Sequence, residues 1–268
     1  MTIGMSDKLT VPERVLRKDR AILIISLIGL TGLAWLYLYL LAADMAVGDM
    51  HLMGMGKMGA MGGPMPWDGK TFLLMGLMWW IMMIGMMVPS AAPMILLFAR
   101  VQRHNLPHEN PALRITLFTT SYLLLWLVFS VIATWLQWWL SERMLLSPMM
   151  KTVNPRMGTV IFVMAGLYQL TPLKQACLEN CQAPLQFLTS HWRNGNTGAL
   201  QMGLLHGAYC VGCCWSLMLL LFVGGVMNLL WIATIAILVL VEKLLPSGSL
   251  YKWISGALLM CLALFFWQ

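Results

Sequence analysis

Seven apolar stretches, at about residues 21–42, 71–98, 113–140, 157–172, 199–224, 226–245 and 249–267, constrain this chain more than any other feature. A bilayer core about 30 Å thick is crossed by about 20 apolar residues in a helix, because a helix satisfies its own backbone polar groups. With 60% hydrophobic and 10% charged residues, the chain reads as an all-α polytopic bundle of about seven spans, the fourth being the weakest. The first stretch follows the charged segment from Lys8 to Arg20. It is too long for a signal peptide and lacks a clear small-residue cleavage site, so it is expected to stay as an anchor.

Lysine and arginine are in excess on cytoplasmic segments of membrane proteins. With the N-terminus inside, twelve of the seventeen basic residues fall on that side: Lys8, Arg14, Arg17, Lys18, Arg20, Arg100, Arg103, Arg114, Lys174, Arg193, Lys243 and Lys252. The expected topology is therefore N-inside and C-outside, and the net charge of +7 is accounted for without nucleic acid. The organisation that follows is a basic tail (1–20) and a single transmembrane domain (21–268). That domain carries a Met/Gly-rich outside loop (43–70) and a cytoplasmic interfacial loop (173–198).

The outside loop interleaves glycine with Met45, Met50, Met53, Met55, Met58, Met61 and Met65, and adds His51, Asp44, Asp49 and Asp68. Thioethers need no deprotonation and favour Cu(I), and glycine lets a short segment wrap several sulfurs round one ion. Met53, Met55, Met58 and His51 are the candidate ligands. The bland alternative is a flexible linker whose methionines touch the membrane surface. The second span continues the theme with Met75, Met78, Met82 and Met86 at steps of three and four, a sulfur stripe on one helix face. Met82 and Met86 are candidate ligands there, although methionine also serves as adaptable helix packing. Pro89 and Pro93 are expected to bend or locally unwind this helix and to free backbone carbonyls.

One imidazole and three thiols lie within the fifth span, in His206-Gly-Ala-Tyr-Cys210-Val-Gly-Cys213-Cys214. At about 100° per residue, Cys210, Cys213 and Cys214 fall about 40°, 20° and 80° from His206, so all four share a helix face. Polar groups at membrane depth are costly and face the protein interior, which marks this face as a metal site. Cys210 and Cys213 also form a Cys-x-x-Cys, compatible with dithiol redox chemistry, and buried cysteines can simply pack. Gly203 and Gly207 should admit a close neighbour, for which the Met-rich second span is the first candidate. Toward the inside, Cys177 and Cys181 are four apart, share a face and could clasp one soft ion. Glu242 and Lys243 are adjacent, point about 100° apart, and are expected to snorkel or to bond other spans.

Taken together, Tyr168-Gln-Leu-Thr-Pro-Leu-Lys174, Cys177-x-x-x-Cys181, Gly207-x-x-Cys210-x-Gly-Cys213-Cys214-Trp215, Met227-Asn228 and Glu242-Lys243 resemble a bacterial domain-of-unknown-function family described as predicted metal-binding integral membrane proteins. The likeness runs from Trp79 to about Gly256. It implies a metal site in the bacterial inner membrane and names neither metal nor reaction.

The chain has no phosphate-binding Gly-Lys-Ser/Thr loop and no His-Glu-x-x-His, and its ten Asp and Glu residues lie mostly near loops or termini. An enzyme is therefore not expected. The favoured reading is Cu(I) capture on the outer loop and transfer through sulfur ligands, with Cys177 and Cys181 at the inner end. Inward passage or delivery to a partner cuproprotein or metallochaperone would follow. Zinc also suits Cys and His ligands, a homo-oligomer is compatible with the sequence, and the lipid bilayer is the constant partner. Membrane thiol-disulfide exchange at Cys210 and Cys213, or a noncatalytic assembly subunit, are the alternatives.

Overall fold

A computed structural model describes residues 11–46, 67–105, 111–146, 150–152, 154–245 and 249–267. Ten helices account for nearly all of these residues: α1 (Val11–Ala46), α2 (Gly69–Asn105), α3 (Pro111–Glu142), α4 (Pro155–Gln169), α5 (Pro172–Gln182), α6 (Pro184–His191), α7 (Gly195–Leu219), α8 (Leu221–Gly224), α9 (Leu229–Leu244) and α10 (Ser249–Trp267). All seven apolar stretches are helical. Four of them are long and apolar enough to cross a membrane: Arg20–Asp44, Gly69–Arg103, Pro111–Glu142 and Gly195–Gly224. The fourth and sixth stretches form helices shorter than their apolar runs, because local signals cut them. Thr171 caps α5 by accepting from the Lys174 amide, with Pro172 in the first turn, and so ends α4 at 15 residues. Gly225, at φ 96°, turns the chain between α8 and α9, where Asn228 caps the next helix by accepting from the Trp231 amide.

Inside lipid, burying an apolar face against another helix gains little from the hydrophobic effect, so close packing and interhelical hydrogen bonds decide the arrangement. The two prolines of α2 illustrate this, because the helix stays continuous across Pro89 and Pro93 without unwinding. Pro89 cannot donate to the Gly85 carbonyl, and the indole N–H of Trp35 in α1 donates there instead at 3.2 Å. Trp80 of α2 donates likewise to the Leu123 carbonyl of α3, at 3.1 Å.

The glycine pair of α7 faces α3, and the expectation that α2 packs there is corrected. A Cβ on Gly203 would overlap the Phe118 carbonyl and the Ser121 hydroxyl, and one on Gly207 would press on Leu125 and the Tyr122 carbonyl. The paired residues rise together along both helices, so α3 and α7 run parallel. In contrast α2 runs antiparallel to α3, with Gln102 beside Arg114, Phe98 on Phe118 and Trp79 beside Gln137. The short helices α4 and α10 form their own antiparallel pair, with Gly158 near Phe266 and Gly166 against Gly256.

The segment read as a cytoplasmic interfacial loop contains α5 and α6, which bury Lys174, Leu178, Phe187 and Leu188. Lys174, Lys243 and Arg114 are all buried. These three basic residues of the inside set thus serve the fold and carry less weight as markers of topology.

Candidate metal centre

Helix α7 carries His206, Cys210, Cys213 and Cys214 on one buried face, as the helical spacing predicts. Both Cys213 and Cys214 turn their sulfurs back onto the Cys210 carbonyl, at 3.2 and 2.8 Å, the local bond open to a thiol within a helix. His206 is enclosed by the rings of Phe118, Tyr122 and Phe187, at centroid separations of 6.2, 5.6 and 5.4 Å. Its Nδ1 is buried without a hydrogen-bond partner. A buried nitrogen left with no partner is a costly feature in a structural histidine and an available donor in a ligand.

Cys177 and Cys181 are brought against the cysteine face of α7. Helix α5 lies against α7 so that the Cys181 sulfur comes within 4.0 Å of the Cys213 sulfur. Cys177 rests on the backbone of Gly212, where an added Cβ would stand 2.8 Å from its sulfur. The Tyr168 hydroxyl, donating to the Gly212 carbonyl at 2.5 Å, pins the end of α4 to the same turn. The two cysteine motifs, about thirty residues apart in sequence, therefore build one thiol cluster. All six cysteines are free thiols.

Three further helices reach this cluster through residues that the sequence did not single out as ligand neighbours. Lys243 of α9 donates to the Cys210 sulfur at 2.8 Å and to the Ser90 hydroxyl of α2 at 3.1 Å. The Tyr122 hydroxyl of α3 lies 3.1 Å from the Cys210 sulfur and 3.4 Å from the Met87 carbonyl. Glu242 pairs with Lys174 of α5 at 2.7 Å, both side chains being almost fully buried. Their adjacency in sequence did reveal that Glu242 and Lys243 would not pair with each other. Only the packing of α5, α7 and α9 shows which partner each one takes.

Met82 and Met86 are buried in the same core as Cys210, Cys213 and Cys214. Met53, Met55, Met58 and His51 lie outside the described residues. Among the described residues, no three His, Cys, Asp or Glu side chains already stand in a metal-ligand arrangement. At Cys210 the place of a cation is taken by the Lys243 ammonium. The donors themselves fit a soft monovalent ion: several sulfurs from two helices, an unpartnered imidazole nitrogen, and a buried carboxylate already paired with a lysine.

Residues 76–266 match the PpoB2 family, described as copper chaperone. The chain belongs to that family. The match takes in α2 through α10 and with them every member of the thiol cluster. No curated protein and no solved structure matches the chain. The family's description agrees with the metal-related character expected from the motifs and adds copper to it.

Proposed function

We propose that this chain is a copper chaperone of the bacterial inner membrane that holds Cu(I) at a buried thiol cluster and passes it to a cuproprotein. The observation that carries this reading is the approach of Cys181 to Cys213, which joins α5 to the His206, Cys210, Cys213 and Cys214 face of α7. Thiolate is the ligand form of cysteine, and soft sulfur donors prefer Cu(I) to harder ions. Cys210, Cys213 and Cys181 bind the ion, and His206 offers Nδ1 as a further donor. Lys243 answers part of the negative charge that three thiolates and one monovalent cation leave in a low-dielectric interior.

The supply side is the Met/Gly segment over 43–70, where Met53, Met55, Met58 and His51 capture the ion outside. The methionine face of α2, including Met82 and Met86, then leads it to the thiols. The topology in this reading is seven crossings, N-inside and C-outside.

Elemental analysis with X-ray absorption on copper-loaded protein, compared with a His206→Ala, Cys210→Ser, Cys213→Ser variant, is the test. Sulfur-coordinated copper in the native chain, lost in the variant, is the expected result. Equal copper content with the same sulfur coordination in both proteins would refute the proposal.

The 4.0 Å approach of Cys181 and Cys213 also favours a second reading, thiol-disulfide exchange, through this pair and not through Cys210 and Cys213. That reading requires a disulfide between α5 and α7 that forms and reopens with the redox poise. Thiol labelling after mild oxidation, followed by peptide mapping, decides between the two.

A further inference from the structure

The opposite end of the methionine face holds an arrangement that the thiol cluster does not use. Gln137 of α3 accepts a hydrogen bond at Oε1 from the Trp79 indole, at 2.5 Å. That bond fixes the carboxamide, so that Nε2 points at two sulfurs: Met150 at 3.1 Å and Met75 at 3.7 Å. All four side chains are buried. Thioethers are weak acceptors, and a buried amide that donates only to thioethers is poorly served compared with one bonded to a carbonyl. Its N–H hydrogens carry partial positive charge. Two sulfurs turning lone pairs toward one positive point mark where a soft cation would meet both.

The backbone is shaped to deliver Met150. This residue has φ 55°, in the left-handed region that side chains other than glycine seldom adopt, and such conformations concentrate at functional positions. The segment is held in place by Thr152, whose amide donates to the Phe222 carbonyl at 2.9 Å, and Phe222 packs on Trp79. From Met75 the buried sulfurs of Met78, Met82 and Met86 continue along one face of α2, about 16 Å in all at 1.5 Å per residue. That line ends beside the Met87 carbonyl, which Tyr122 links to Cys210.

We propose that Met75 and Met150 form a second soft-cation site, a thioether station for Cu(I), or for Ag(I) as its mimic, that the ion occupies by displacing the Gln137 amide from both sulfurs. Two neutral thioethers offer a divalent ion no compensating charge in a low-dielectric interior, whereas a soft monovalent ion matches them. The identity of the cargo rests on the copper-chaperone reading; the site itself rests on these residues.

A silver titration of the full chain in lipid nanodiscs, followed on carbon-13 methionine methyls, tests the site. Cys181→Ser, Cys210→Ser and Cys213→Ser remove the proposed thiol ligands, and Met75→Leu and Met150→Leu assign the two resonances at nearly constant side-chain volume. The expected result is that both methyls and the Gln137 side-chain amide shift on one binding curve. Met75→Leu should then weaken the Met150 response at least tenfold. A Met150 response indifferent to Met75→Leu overturns the proposal, and so do two methyls that silver leaves in place. The chain without these substitutions gives the same joint shift, so a variant that folds poorly does not remove the readout. Intact Met75 and Met150 responses in a protein whose thiols hold no copper would sink the chaperone reading and leave this site standing.

Discussion

Lys243 brings an ammonium to Cys210 and Ser90 inside the bundle, and a buried ammonium is tolerated only where its charge and donors are answered. Lys243→Met removes a charge-assisted contact and is expected to weaken copper binding about tenfold, a change of about 1.4 kcal/mol, in competition with a Cu(I) chelator. Unaltered affinity would show that the ammonium plays no part in holding the ion. The neighbouring pair behaves differently, because Glu242 faces Lys174 and not the sulfurs. Glu242→Gln leaves the Lys174 charge buried and unanswered, which should cost about 3–5 kcal/mol of stability. Glu242→Leu combined with Lys174→Met should recover most of it, as read by thermal unfolding in detergent. A double variant no more stable than Glu242→Gln would mean that the pair is needed as an ion pair. Gly203 has the tighter approach of the two α7 glycines that face α3, and Gly203→Ala should cost about 1–3 kcal/mol through overpacking. Gly29, with nothing within 4 Å of its added Cβ, is the matching control.

Helix α2 runs through two prolines because its neighbours replace what the prolines remove. Trp35→Phe deletes the donor to the Gly85 carbonyl and is expected to destabilise by about 1 kcal/mol. Pro89→Ala restores a backbone N–H in register with that carbonyl, so it should offset the loss in the double variant. Independent, additive effects in the thermal-unfolding cycle would refute the substitution of one donor for the other. The start of α2 has a different dependence. Asp68 accepts from the Thr71 amide at 2.7 Å, and the bonds from Thr71 hold its carboxyl below the usual carboxylate range. Because the folded value is the lower one, this cap contributes above the ordinary carboxylate range and is lost as pH falls through the depressed value. Hydrogen exchange of the Thr71 amide should therefore stay protected at neutral pH, and its protection should fail only in acid below the range of a free aspartate. Failure already near the ordinary value would mean that the cap does not form.

At the scale of the whole molecule, the apolar runs reveal helices, and the step of four reveals the shared face of His206, Cys210 and Cys214, because both depend on nothing beyond local helical geometry. What the sequence leaves hidden depends on packing. Cys181 meets Cys213 only because the Thr171-Pro172 corner turns α5 onto α7, and Gly203 and Gly207 meet α3 in spite of the sulfur-rich surface that α2 offers. The same packing bears on topology, where four helices are long enough to span and three are shorter. An even count of four crossings would put both termini on one side, while seven would put them on opposite sides. The parallel register of α3 and α7, with Phe118 at Gly203 and Leu125 at Gly207, requires the chain between them to return to the end where α3 began. The path through α4, α5 and α6 must therefore traverse the bundle, although no single helix in it is long enough to do so alone. Helices α9 and α10 then run as a down-and-up pair, which leaves the C-terminus at the end where α7 finishes. Reporter fusions at the two termini should consequently give opposite signals, with a C-terminal phosphatase active and a C-terminal fluorescent protein dark. Both reporters on one side would break the seven-crossing topology and would put the fault in α1 or in the α9 and α10 pair, because the α3 and α7 register fixes the return path between them.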